Sequence, residues 1–203
     1  PQSEVLDSGM IDRISDAEYE YAEDSWEIAD AWVDGIRYRR VSQESESGYG
    51  TEYHYYKWEP IKWRVMEYDS GNDILSLVAD QGLDCQAYSS ATNPWQSSSL
   101  RSWLNGTFYS LAFDRSERDS IIQRQVENSG NPYQGIGYSE DTLDNVYLLS
   151  MQEMETPEYG YCSDYSQQSL SRQWKVSEYA KAMGSYTSSQ AGIEGNCWWW
   201  LRS

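Results

Sequence analysis

The feature that constrains this chain most is the chemistry of its aromatics: 10 Trp and 18 Tyr stand against 2 Phe in 203 residues. Rings with a polar tip sit half in water, yet they carry far more apolar area than a disordered chain holds. They therefore outweigh a mean hydropathy of −0.80, which alone would describe a solvated chain. At this length a chain buries about 70% of the surface its unfolded form exposes, enough for one domain with a core and no disulfide staples.

Charge removes several classes of partner. With 33 acidic and 15 basic side chains the net charge is −18. Polyanions are repelled at long range, and no Lys/Arg cluster is dense enough to track phosphates, so nucleic acid and anionic membrane surfaces are not expected partners. No run reaches 18 apolar residues, so direct membrane insertion is not expected. Cys85, Cys162 and Cys197 lie far apart and match no zinc pattern; at most one disulfide is expected. The opening at Pro1, without a signal peptide, reads as an excised or processed fragment.

Local signals place short elements of both kinds. Ser15-Asp16-Ala17-Glu18 has the form of a capping box and predicts a helix over 19–27. Asp34-Gly35, between Trp32-Val33 and Ile36-Arg37-Tyr38, predicts a hairpin because both turn residues tolerate positive φ. The Ser- and Glu-rich stretch 41–50 then reads as a mobile loop. Ile61, Trp63 and Val65 alternate with Lys62 and Arg64, which predicts a half-buried strand, and the turn at 69–73 leads into an expected central strand over 74–79. A helix is expected over 97–105, with Leu100, Trp103 and Leu104 on one face and Gly106 as its cap. Capping signals recur at Asp114/Glu117, Ser150/Glu153 and Ser177, the last opening a helix that ends at Gly184. Strands are expected over 121–126 and 145–149, separated by a loop over 128–144. Strands mixed with short helices out of strict alternation, without repeat or internal boundary, predict one α+β domain over 1–203. Trp63, Trp103 and Trp199 are the expected core indoles.

Motifs for catalysis are thin. His54 is the only histidine and lies between tyrosines on an expected strand, which suits packing or surface better than catalysis. There is no GxSxG, GxGxxG, Walker A or HExxH pattern, and the many carboxylates single out no glycosidase-type pair. Tyr, Ser, Gly and Asn with occasional Trp is instead the composition of adaptable binding surfaces. The segments 128–144 and 157–174 hold Tyr133, Tyr138, Tyr159, Tyr161, Tyr165 and Trp174 without helix or strand periodicity, and these rings are the expected ligand contacts. The alternative for some of them is packing of the loops onto the body. Asn131, Asp141 and Asp144 are the expected ligands of a hard cation such as Ca²⁺, with Asx turns as their alternative use. No other cofactor is expected.

Longer stretches carry a resemblance. Tyr55-Tyr56-Lys57-Trp58-Glu59-Pro60-Ile61-Lys62-Trp63-Arg64-Val65, Leu100-Arg101-Ser102-Trp103-Leu104-Asn105-Gly106-Thr107-Phe108 and Trp198-Trp199-Trp200-Leu201-Arg202-Ser203 are the principal ones. With Pro1-Gln2-Ser3-Glu4-Val5, Leu83-Asp84-Cys85-Gln86 and Tyr179-Ala180-Lys181-Ala182, they resemble a family of uncharacterised domains in surface proteins of Gram-positive gut bacteria. The resemblance implies a C-type-lectin-like fold of the formylglycine-generating-enzyme type: a mixed or antiparallel sheet with short flanking helices and long loops. Family members usually have a strand before the position of Pro1 and a final strand beyond that of Ser203. A second chain completing the sheet is therefore a further expected partner. The copper-binding cysteines of the formylglycine-generating enzymes have no counterpart, so that oxidase activity is not implied. Together with the composition, the resemblance implies an extracellular or cell wall-attached recognition domain of adhesin type, binding a host or microbial surface protein or glycan, and no enzyme. A non-binding structural spacer and a carboxylate-dependent hydrolase are the alternatives.

Overall fold

In the computed structural model, which describes residues 1–21, 28–44, 50–89, 94–133, 135, 137, 139–167 and 169–203, short strands alternate irregularly with short helices. In chain order they are β1 (Ser3–Glu4), α1 (Ser8–Ser15), β2 (Tyr19–Tyr21), β3 (Ile28–Val33), β4 (Ile36–Glu44), β5 (Thr51–Lys57), β6 (Trp63–Asp69), β7 (Ile74–Ala79), α2 (Ser99–Trp103), α3 (Tyr109–Ala112), α4 (Arg115–Ser120), β8 (Arg124–Val126), β9 (Thr142–Asp144) and α5 (Glu178–Ala182). This is a mixed α+β architecture with antiparallel sheets. No helix among the described residues is long and apolar enough to cross a membrane. The chain divides into two units, one of Pro1–Lys62, Ala79–Cys85 and Trp174–Trp198, the other of Trp63–Val78, Gln86–Gln173 and Trp199–Ser203.

The first unit grows from the Asp34-Gly35 turn. Both residues take positive φ, 52° and 78°, which sets Val33 opposite Ile36 and joins β3 to β4 with the twist that a two-residue hairpin needs. Outward pairing yields a five-stranded antiparallel sheet in the order β1-β5-β4-β3-β2, whose edge strands are too short to offer much template to another chain. Tyr55 and Tyr56 are neighbours in β5, so their rings leave opposite faces. Tyr55 joins Tyr38 and Ile14 of α1, while Tyr56 joins Val41 and Tyr179 of α5. Each helix is started by a cap: the Asp7 carboxylate accepts the Met10 N–H at 2.8 Å, and the Ser177 hydroxyl accepts the Ala180 N–H at 3.0 Å. Gly82 lies so close to Val176 that a Cβ there would meet its Cγ1 at 2.7 Å.

A charge is buried in this sheet. Arg39 lies opposite Asp30 and binds it through two bonds of 2.8 and 2.9 Å, with Arg37 adding a third at 2.7 Å. The Trp58 indole N–H reaches the same carboxylate at 3.4 Å, and the guanidiniums of Arg37 and Arg39 lie 4.2 and 4.8 Å from the Trp58 ring. Burial pushes Asp30 up, but the hydrogen bonds and charges of Arg39 and Arg37 outweigh it and hold the carboxyl below its usual range.

The second unit holds the β6–β7 hairpin, the β8–β9 pair and a helical run in which α2 passes through a π-helical turn, Leu104–Phe108, into α3. Its core is Trp95, Leu100 and Leu104, with Tyr88, Trp103, Phe108 and Val146 packed against them. The capping box at Asp114 and Glu117 opens α4 with reciprocal bonds of 2.9 and 2.7 Å.

Several expectations are corrected. Residues 19–21 are strand, because Ser15 ends α1, its hydroxyl donating to the Asp12 carbonyl, and Tyr19 stacks on the Arg40 guanidinium at 4.3 Å. Residues 22–27 lie outside the described residues. The expected loop from 41 is strand as far as Glu44, paired with 51–54, and Val41 is buried; residues 45–49 lie outside the described ones. β7 is half of a two-stranded hairpin rather than a central strand, and Val65, Leu75 and Leu77 are exposed. Gly106 lies inside the helical run, because the π-helical turn carries the backbone past it. Residues 145–149 form no strand; β8 pairs instead with β9, from within the expected loop. Trp63, Trp103 and Trp199 are half-buried, whereas among the described residues the buried indoles are Trp95 and Trp174.

Replacing Arg39 by Met leaves Asp30 buried beside a weaker set of partners. Urea unfolding at pH 7 should show a loss of about 3 to 5 kcal/mol, the usual cost of breaking a buried pair from one side. Because the folded-state value of Asp30 is depressed, its contribution is present above the unfolded carboxyl value of about 3.9 and is lost as pH falls below it. The gap between wild type and variant should therefore narrow below pH 4. Equal midpoints at pH 7 would remove the pair from this account.

Candidate functional site

The motif stretch over 100–108 builds framework. The Ser98 hydroxyl caps α2 by accepting the Arg101 N–H at 3.1 Å, which sets Arg101 to donate through Nε to Asp144 Oδ1 at 2.6 Å. Asp144 Oδ2 accepts from the Trp95 indole at 2.9 Å and the Thr142 hydroxyl at 2.7 Å, and the residue is fully buried. Asn105 donates to the Val146 carbonyl at 2.9 Å and accepts from the Asn145 and Val146 N–H groups. Arg202 is likewise occupied, by the carbonyls of Glu127 and Leu148 and the carboxylate of Glu153.

These bonds already use the groups expected to hold a cation. Both oxygens of Asp144 are engaged by a guanidinium, an indole and a hydroxyl, which leaves no carboxylate edge for a metal. Asn131 closes a turn by accepting the Tyr133 N–H at 3.1 Å and donates to the Ser203 carbonyl at 3.2 Å. Asp141 accepts from the Asn128 N–H and the Gln125 amide, each at 3.3 Å. Among the described residues no group of three His, Cys, Asp or Glu is placed to hold a metal ion.

The expected aromatic contacts separate into four kinds, Tyr159 being the one that lines a cavity. Tyr161 and Trp174 are buried and serve the alternative use, packing: the Arg64 guanidinium lies 5.7 Å from the Tyr161 ring, and the Trp174 indole donates to the Ala79 carbonyl at 2.8 Å. Tyr138 lies outside the described residues. Tyr133 and Tyr165, from two different loops, meet with ring centroids 4.9 Å apart and planes at 30°, and they stay 54% and 44% exposed. Glu155 fixes both, accepting the Tyr133 hydroxyl at 2.9 Å and the Tyr165 N–H at 3.1 Å. That hydrogen bond pushes the Tyr133 phenol above its usual range, so it remains protonated at neutral pH. Asp164 ties the turn under Tyr165 by accepting from Ser166 at 2.6 and 2.9 Å.

The turn Glu153–Glu155, which holds these tyrosines through Glu155, also places Glu153 in the wall of a polar cavity of about 320 Å³. Ser150 and Glu153 form the expected reciprocal cap, with bonds of 2.8 and 3.1 Å, that starts this turn. Arg124, Glu127, Ser129, Tyr147, Arg202 and the half-buried Tyr159 are among the residues that line the rest. Tyr159 donates to Glu67 at 3.3 Å, and the Tyr147 hydroxyl accepts from Arg124. No motif marked Arg124, Ser129 or Gln152; only the strand pattern around β8 pointed near them.

Replacing Asp144 by Ala strands the Arg101 guanidinium and the Trp95 indole, and should cost about 3 to 5 kcal/mol in chemical unfolding. Wild-type melting should be the same in millimolar Ca²⁺ and in chelator. A melting temperature raised by Ca²⁺ and restored by chelator would reinstate a cation site.

No curated protein and no solved structure matches this chain. Residues 72–203, which include the Leu100–Phe108 and Trp198–Ser203 stretches, match a family described as a domain of unknown function. On that match, covering more than half its length, the chain belongs to the DUF6273 family.

Proposed function

We propose that this chain is a ligand-recognition domain of adhesin type that takes a host or microbial glycan or protein against the Tyr133–Tyr165 pair. The observation that supports it is the meeting of two exposed rings from separate loops, each held by Glu155. Exposed aromatic area that is already ordered binds at little entropic cost. The motif resemblance supports the finer parts of the proposal: a lectin-like scaffold and an extracellular or wall-attached location.

The hydrolase reading needs a carboxylic acid held above its usual range. Among the described residues the displaced carboxyls, Asp30, Asp69 and Asp164, are all held below it. The spacer reading draws on the framework bonds of Arg101, Asn105 and Arg202, which describe how the unit is built and leave the tyrosine pair unused.

A glycan array probed with wild type and with the Tyr133→Ala/Tyr165→Ala variant tests the proposal. Wild type should retain ligands that the variant loses at least about tenfold, from about 1 to 3 kcal/mol of stacking, with an unchanged melting temperature. Equal retention by both proteins, or none by either, would transfer the weight to the spacer.

A further inference from the structure

The first unit carries an exposed aromatic pair of its own. Tyr186 and Trp198 meet with ring centroids 5.0 Å apart and planes at 41°, and they are 55% and 83% exposed. Backbone bonds hold the chain next to each ring. Gly184, at φ 96°, closes α5 by donating to the Lys181 carbonyl at 2.9 Å, and the Ser185 N–H donates to the Ala180 carbonyl at 3.0 Å. On the other side, the Cys197 N–H donates to the Trp174 carbonyl at 2.9 Å. Between the rings in sequence, the Ser188 N–H donates to the Asn196 carbonyl at 2.7 Å and the Gly195 N–H to the Ser188 carbonyl at 2.8 Å. The pair is therefore set before anything binds it, which spares a ligand the ordering of the loop.

The chemistry around the rings is neutral and small in scale. Charged residues make up 24% of the chain, yet in 184–198 Glu194 is the single one, and its carboxylate accepts the Gly192 N–H at 2.8 Å. Thr187, Ser189 and Gln190 offer hydroxyl and amide groups instead. Tyr186 and Trp198 are the exposed large apolar side chains of that stretch; Trp200 belongs to the other unit, where it meets Tyr88 at 5.4 Å. Two rings bury at most about 150 to 250 Å² each, well short of the roughly 800 Å² that a stable protein partner covers on one side.

We infer that the Tyr186–Trp198 pair binds a single neutral pyranose ring, its C–H face on the Trp198 indole and its rim hydroxyls toward the polar groups of 187–190. The C–H hydrogens of a sugar face carry a slight positive charge and meet the negative face of the indole, while the hydroxyls at the rim find neutral donors and acceptors. An acidic sugar brings its charge to a stretch that holds Glu194 and neither Lys nor Arg. Lys175, opposite Asn196, and Lys181 lie exposed on the segments bonded to this stretch, and glucuronate as a probe reads whether they alter the preference. The inference needs neither Tyr133 nor Tyr165, so it stands or falls separately from the glycan-array experiment.

The test is titration of the ¹⁵N-labelled full chain with methyl β-glucoside, sodium glucuronate and glycerol, followed by amide and indole N–H shifts. Methyl β-glucoside, whose equatorial hydroxyls leave both ring faces as C–H, should shift the Trp198 indole and amides within 184–198, and should do so equally in the Tyr133→Ala/Tyr165→Ala variant. Glucuronate should bind more weakly, and glycerol, which has hydroxyls without a ring face, should leave these signals in place. Trp198→Ala should weaken glucoside binding at least about tenfold, and Trp198→Phe, which keeps a ring, should retain part of it. Both variants should keep the wild-type melting temperature, because the Trp198 side chain is mostly in water. No glucoside shifts within 184–198, glucuronate or glycerol matching the glucoside, glucoside binding untouched by Trp198→Ala, or a self-association of the chain that Trp198→Ala abolishes would each overturn the inference.

Discussion

Asp144, itself fully buried, has one carboxylate oxygen on the Arg101 guanidinium and the other on the Trp95 indole and the Thr142 hydroxyl. Asp30 repeats the arrangement in the other unit, with Arg39 and Arg37 on its oxygens and the Trp58 indole at the edge. A chain whose aromatics are nearly all Tyr and Trp brings a donor inside with almost every ring it buries. An unmet buried donor costs about 1 to 3 kcal/mol, so the core of such a chain needs acceptors as much as it needs area. One buried carboxylate meets several donors at once, and the arginine beside it removes most of the penalty for burying the charge.

That arrangement determines what is left for binding. Arg101, Asn105 and Arg202, polar residues of the motif stretches, are held by framework bonds, Trp174 is buried with its indole on the Ala79 carbonyl, and Tyr161 is buried. Among the ordered surfaces left for the proposed binding is the Tyr133–Tyr165 pair, and the turn that carries Glu155 also carries Glu153 of the cavity beside β8. Because Glu155 holds one tyrosine by its hydroxyl and the other by its backbone, the pair is set before any ligand arrives. Preorganisation of this kind converts aromatic area into affinity instead of into the ordering of loops.

Strictly local signals were legible in the sequence. Asp34-Gly35 requires positive φ at two adjacent positions, and the caps at Asp114, Ser150 and Ser177 need only residues three apart, so nothing distant overrules them. Ser15-Glu18 had the same form and failed, because α1, capped by Asp7, already occupies the preceding residues. The strand pattern around Val65, Leu75 and Leu77 gave the hairpin but not its burial, since alternation says which residues share a face and not whether that face is covered. For the site, the two loops that supply Tyr133 and Tyr165 were evident from composition. Their partner Glu155, and the opposite fates of Tyr161 and Tyr165 only four residues apart, depend on contacts between segments distant in the chain. Asp144 read as a metal ligand because a carboxylate in an Asn- and Gly-rich stretch looks the same from sequence whether it meets a cation or an arginine.

The claim on which this account rests is that buried aspartates accept indole protons and thereby hold each unit's own core in place. Hydrogen exchange of the tryptophan indole N–H protons, followed by NMR, measures that directly. The Trp95 proton, held by Asp144, should exchange only through opening of its unit and by orders of magnitude more slowly than that of Trp198, which is 83% exposed. Exchange of Trp95 at the rate of Trp198 would contradict the account.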